Sequence, residues 1–147
     1  MALLKSNIAT GVKPVQTPIS GLLAKMLYDY VTTTALAAGD IIDLGPIPED
    51  LAPVDCMLVA EDLDTNVAPT ITLSVGILND DKSDLATTLI STSTVGQAGG
   101  VARATTNSTY LSGASSSERH LGIKVAAGPA TAAAAGKKLA VVLDVQP

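Results

Sequence analysis

Thr70-Ile71-Thr72-Leu73-Ser74-Val75-Gly76-Ile77 alternates apolar and small polar residues without a break. Strand side chains point to opposite faces in turn, so Ile71, Leu73, Val75 and Ile77 share one face. The segment therefore reads as a half-buried β-strand, and the chain on either side repeats its style. Upstream, residues 54–60 form a nearly continuous apolar run, as expected of a strand covered on both faces or lying at an interface. Earlier still, Gly39-Asp40 opens Ile41-Ile42-Asp43-Leu44, which Gly45-Pro46 is expected to close. Residues 28–34 are rich in aromatic and β-branched side chains. Downstream, residues 86–93, 101–104, 121–125 and 139–145 read as further strands. Residues 128–136, Gly-Pro-Ala-Thr-Ala-Ala-Ala-Ala-Gly, favour helix by alanine propensity. The bounding Gly-Pro and Gly leave room for a loop with at most one turn.

About eight strands with frequent turn signals and no long amphipathic helix predict an all-β fold, a sandwich or barrel; eight strands in two sheets is the count of a jelly-roll β-sandwich, the fold expected here. The 147 residues suit one domain, expected over 26–147. Residues 1–25 differ: Pro14 and Pro18 exclude a helix interior and a central strand, and no hydrophobic period is sustained. An extended N-terminal arm is expected there. Val12, Val15, Ile19 and Leu22 make it more apolar than a solvated tail requires, so they are candidate subunit-contact residues.

Hydrophobic residues make up 47% of the chain, yet aromatics only 2%, with no Phe and no Trp. The core must be a thin layer of aliphatic side chains, each contributing roughly 1–3 kcal/mol on burial. Such a core gains from association. The few aromatics also remove stacking platforms for bases and sugars. A net charge of −5, with nine basic residues scattered along the chain, argues against a nucleic-acid partner. No window of about 18 residues is free of charge and turn formers, so no membrane span is expected. Near the start there is no apolar run of about 7–15 residues of the kind a secretory signal needs, and synthesis without export is expected.

Residues able to do chemistry are sparse. His120 is the only histidine, which excludes histidine-rich metal sites. Ser115, Ser116 and Ser117 lie near it, but no Gly-x-Ser-x-Gly elbow is present; His120 is expected to point outward and exposed, beside Arg119. Asp62-Leu63-Asp64-Thr65-Asn66 starts like a calcium loop and then fails, with Val67 where Gly is required and Leu73 where Glu is required. It and residues 79–84, Asn-Asp-Asp-Lys-Ser-Asp, read as solvated turns, with calcium binding left open. Residues 96–100 are glycine-rich but lack the Lys-Ser/Thr of a phosphate loop. Cys56 is alone, so no internal disulfide forms, and it reads as a packed inert thiol. No enzyme and no cofactor are expected.

Three stretches resemble small head proteins of tailed bacteriophages. They are residues 35–48 (Ala-Leu-Ala-Ala-Gly-Asp-Ile-Ile-Asp-Leu-Gly-Pro-Ile-Pro), residues 63–79 (Leu-Asp-Thr-Asn-Val-Ala-Pro-Thr-Ile-Thr-Leu-Ser-Val-Gly-Ile-Leu-Asn) and the pair 119–125 and 129–134 with the last strand. The resemblance implies a capsid decoration, or cement, protein of jelly-roll fold. Such proteins bind the outside of the major capsid shell as dimers or trimers, a dimer being favoured here, and clamp neighbouring subunits. It carries no catalytic residue with it and does not identify contact positions. The competing expectation is a tail or fibre β-domain that binds a host receptor or glycan, for which Tyr28, Tyr30 and Tyr110 are the available aromatics.

Overall fold

Period-two alternation carries most of the chain into strands, and the glycine and proline clusters separate them. The structure, a computed structural model, describes residues 1–14 and 23–147. Its strands are β1 (Leu3–Lys5), β2 (Ala24–Val31), β3 (Ile41–Ile47), β4 (Ala52–Ala60), β5 (Thr72–Leu78), β6 (Leu85–Ser93), β7 (Gly100–Arg103), β8 (Arg119–Ala127) and β9 (Lys138–Gln146). A short helix, α1 (Ser108–Leu111), lies between β7 and β8. The four alanines stay in a loop, touching Asp64 only through an isolated bridge at Ala132.

Two sheets stack face to face, in the orders β1-β3-β8-β5-β6 and β2-β9-β4-β7. With β1 set aside, each sheet has four strands, and the chain passes between the sheets at every step except β5 to β6. This is the interlocked double Greek key of a jelly roll. The extra strand is β1, which pairs in parallel with β3, Leu3 opposite Ile41 and Lys5 opposite Asp43. Ile8 follows it into the core. The first ten residues are thus built into the sandwich.

β3 continues through Gly45-Pro46, where the sequence suggested an end. A β-bulge between Asp43 and Gly45 absorbs the irregularity. Pro46 lies beyond the last residue that β1 pairs, where β3 is an edge and needs no donor on that side. Gly45 has φ +133, and a Cβ there would collide with the Ile8 side chain, so glycine is required twice over.

The sandwich interior is aliphatic, from Ile42, Leu44, Leu73, Val75 and Ile123 on one sheet to Leu58, Val141 and Leu143 on the other. β2 adds Met26, Tyr28 and Tyr30. The Tyr28 hydroxyl donates to the Pro46 carbonyl at 2.9 Å, which satisfies the one polar atom of that buried ring. At one side, Thr106 and Thr109 hydroxyls donate to the Leu89 carbonyl and tie the α1 region to β6.

Candidate functional site

The outward face of the four-stranded sheet is unusually apolar. Alternation along β2, β9 and β4 sends Leu27, Val142 and Met57 outward, and the strand registers place them side by side in one row. The next row holds Asp29, Ala140, Val59 and Val101. Leu27 and Val101 are exposed. Paired charges border this patch: Lys25 with Asp144 at 2.9 Å, Arg103 with Asp55, and Lys13 with Asp29 at 2.8 Å. The run at 54–60 is therefore half core, through Cys56 and Leu58, and half outward apolar surface, through Met57 and Val59.

One end of the sandwich is organised by a single buried carboxylate. Asp64, 1% exposed, accepts backbone N–H bonds from Asn66, Thr70 and Ile71 of the β4–β5 loop and from Ala130 and Thr131 of the β8–β9 loop. Burial alone raises the pKa of Asp64, but these N–H donors outweigh it and hold the carboxyl well below the usual range. Both oxygens already face donors, so Asp64 ties the loops together and has no free oxygen aimed at a cation. The reading of residues 62–66 as a solvated turn is thus corrected: the aspartate is interior and structural. Among the described residues no group of three or more His, Cys, Asp or Glu is placed to hold a metal.

The second acidic loop also reaches inward. Lys82, at φ +56, sends its Nζ to 2.8 Å from Asp43 Oδ2, a fully buried carboxylate on the outward face of β3. His120 Nδ1 lies 2.7 Å from Asp43 Oδ1, and the Gly45 N–H donates to the same oxygen at 3.1 Å. Burial pushes the pKa of Asp43 up, and the hydrogen bonds and charges of His120 and Lys82 more than reverse this, so it stays ionised below the usual range. His120 does point outward from β8, as alternation requires, but the 79–84 loop covers it and its side chain is only 18% exposed. The expectation of an exposed histidine is corrected on that ground.

These groups do not form a reaction centre. The polar neighbours of His120 are Asp43, Lys82 and Glu118, while Ser115 and Ser117 hydrogen-bond each other. Cys56 is fully buried, and burial pushes its thiol up to about 12, as an inert packed cysteine requires. Of the candidate arm residues, Val12 is 73% exposed, and Val15, Ile19 and Leu22 lie outside the described residues. Sequence reasoning missed Asp64 and the Asp43–His120–Lys82 cluster. The available signal was an aspartate inside the otherwise apolar segment 41–44. No helix among the described residues is long and apolar enough to cross a membrane.

No protein-family model matches the chain, and no curated protein does. Two solved structures do. A chain of the capsid of Ralstonia phage GP4 superimposes with a TM-score of 0.88 at 44% identity, covering 99% of this chain and 98% of its own. A chain of the cyanophage Pam1 capsid asymmetric unit matches with a TM-score of 0.67 at 27% identity, covering 93% and 96%. Likeness of that extent and identity reaches well beyond a shared sandwich. The chain belongs to the same family as the Ralstonia phage GP4 capsid chain and is a structural protein of a phage virion.

Proposed function

We propose that this protein is a decoration, or cement, protein, which binds the outer surface of the phage major capsid shell and ties neighbouring shell subunits together. The observation that carries this reading is the end-to-end likeness of this jelly roll to a phage capsid chain at 44% identity. The described residues hold no long helix of the kind the usual shell-forming protein of tailed phages carries. A cement protein needs no catalysis, cofactor, nucleic acid or lipid. It needs many symmetry-repeated contacts, whose combined avidity exceeds that of any single one.

In this reading the protein is made in the bacterial cytoplasm and acts on the head as a homo-oligomer, a dimer before a trimer. The N-terminal arm reaches a neighbouring subunit through Val12, Val15, Ile19 and Leu22. Its contribution is tested by changing Val12, Val15 and Ile19 together to Ser, because removing all of residues 1–20 would also remove β1 and Ile8 from the sandwich. Reduced capsid occupancy with an unchanged melting temperature supports the arm's role, and unchanged occupancy refutes it. The tail or fibre reading loses ground, since Tyr28 and Tyr30 are buried and only Tyr110 is exposed. The deciding experiment mixes the purified protein with undecorated expanded shells and images them by electron microscopy.

A further inference from the structure

The charges of this molecule are segregated along the long axis of the sandwich. The β2–β3, β4–β5, β6–β7 and β8–β9 loops gather at one end. They are joined there by Thr32 N–H to the Lys137 carbonyl, Leu63 N–H to the Gly96 carbonyl and Thr65 N–H to the Thr131 carbonyl. Residues 33–39, 65–71, 94–99 and 128–136 contain no Asp, Glu, Lys or Arg. Of the charged residues within these four loops, Asp40 and Asp64 are buried, which leaves Glu61, Asp62 and Lys137 at the base. What the end presents is small and uncharged: Ala35, Val67, Ala68, Ala132 and Ala134 are exposed among exposed threonines, Val67 completely. The opposite end carries Glu49, Asp50, Asp80, Asp81, Asp84 and Glu118, all exposed.

We infer that the protein docks end-on, seating the Val67 and Ala130–Ala135 loops on an uncharged patch of the shell protein, with the acidic end directed to solvent. The inference rests on the shell-binding reading and assigns that contact to one end. Burying the 65–71 and 128–136 loops strips water from threonine hydroxyls but from no charged side chain, whereas burying the acidic end would desolvate several carboxylates at once. Alanine has no side-chain freedom to lose on binding, and its small size lets a partner approach the backbone. The five N–H bonds to Asp64 fix the loops beforehand, so little ordering cost remains. A charged patch on the partner would find no complement on these loops, which is why the occupant is uncharged.

The test uses the full chain with four single changes: Val67→Asp and Ala134→Asp on the neutral end, Leu27→Asp on the sheet face, and Asp80→Asn on the acidic end. Val67 and Ala134 are exposed, so the fold tolerates both, and thermal melts verify this. Occupancy of undecorated expanded shells is measured by electron microscopy and co-sedimentation. Val67→Asp and Ala134→Asp are expected to bind about tenfold or more weakly, because each buries an unpaired carboxylate, while Asp80→Asn binds as wild type. Wild-type occupancy by both neutral-end variants, or loss confined to Leu27→Asp, overturns the inference while leaving shell binding intact. So does a neutral-end variant that changes the oligomeric state alone, since the end would then face a second copy. Shells left bare by the wild-type protein overturn the shell-binding reading and the inference together.

Discussion

The Nδ1 of His120 on β8 lies 2.7 Å from Oδ1 of Asp43 on β3, beneath the loop whose Lys82 binds the other oxygen of the same carboxylate. A fully buried aspartate is tolerated there because three donors face it, and two of them carry or accept charge. The pair joins the second and third strands of the five-stranded sheet to the loop that covers them. Lys82 itself sits at φ +56 in a turn closed by its N–H to the Asn79 carbonyl.

Asp43→Ala is expected to destabilise the protein by about 3–5 kcal/mol, since Lys82, His120 and the Gly45 N–H lose the acceptor they share. Lys82→Met should cost less, on the order of 2–3 kcal/mol, because His120 remains. Urea melts of both variants at neutral pH check the order, and equal stability of all three proteins would contradict it.

The same cluster sets an acid limit. The pKa of Asp43 is lower in the folded state than the ordinary 3.8, so its stabilisation is complete above that value. It drains away as the pH falls further, through the folded-state pKa. Melting temperatures from pH 6 down to about 2 should fall more steeply below about pH 4 in the wild type than in Asp43→Asn. Parallel profiles would count against the assignment.

Asp64→Ala should release both loops it binds. Hydrogen exchange at the Thr70, Ala130 and Thr131 amides is expected to accelerate strongly, while amides of β5 and β8 in the opposite half of the sandwich change little. Calcium should leave the wild-type melting temperature unmoved, because both oxygens of Asp64 already face N–H donors. A calcium-dependent rise would contradict this.

Gly45→Ala combines a disfavoured backbone angle with a collision against Ile8 and is expected to cost about 1–3 kcal/mol. Gly113→Ala, also at positive φ but with open space around it, should cost less. Comparing the two melts separates crowding from backbone strain.

Cys56 should resist thiol reagents in the folded protein and react at the rate of unfolding, since it is buried with its thiol pushed up to about 12. Rapid labelling under native conditions would show that β4 opens.

The sandwich was legible because its strands alternate: Ile71, Leu73, Val75 and Ile77 all turn to the core as their spacing requires. The apolar run at 54–60 was legible as a strand too, with Cys56 and Leu58 turned to the core and Met57 and Val59 outward. Pairing across distant segments leaves no local signal. Asp64 looked like any turn aspartate, and its role depends on backbone amides more than sixty residues away. His120 looked exposed because alternation sends it outward, and nothing in its own strand announces that the 79–84 loop folds over it. β1 is only three residues long, too short to show a period.

The most direct measurement is electron microscopy of undecorated expanded shells after incubation with the purified wild-type protein. Ordered density at symmetry-related sites on the outer surface, bridging adjacent shell subunits and contacted by the Val67 end of the jelly roll, is the expected result. A bare shell surface, or the protein found only in the tail, would contradict the cementing role.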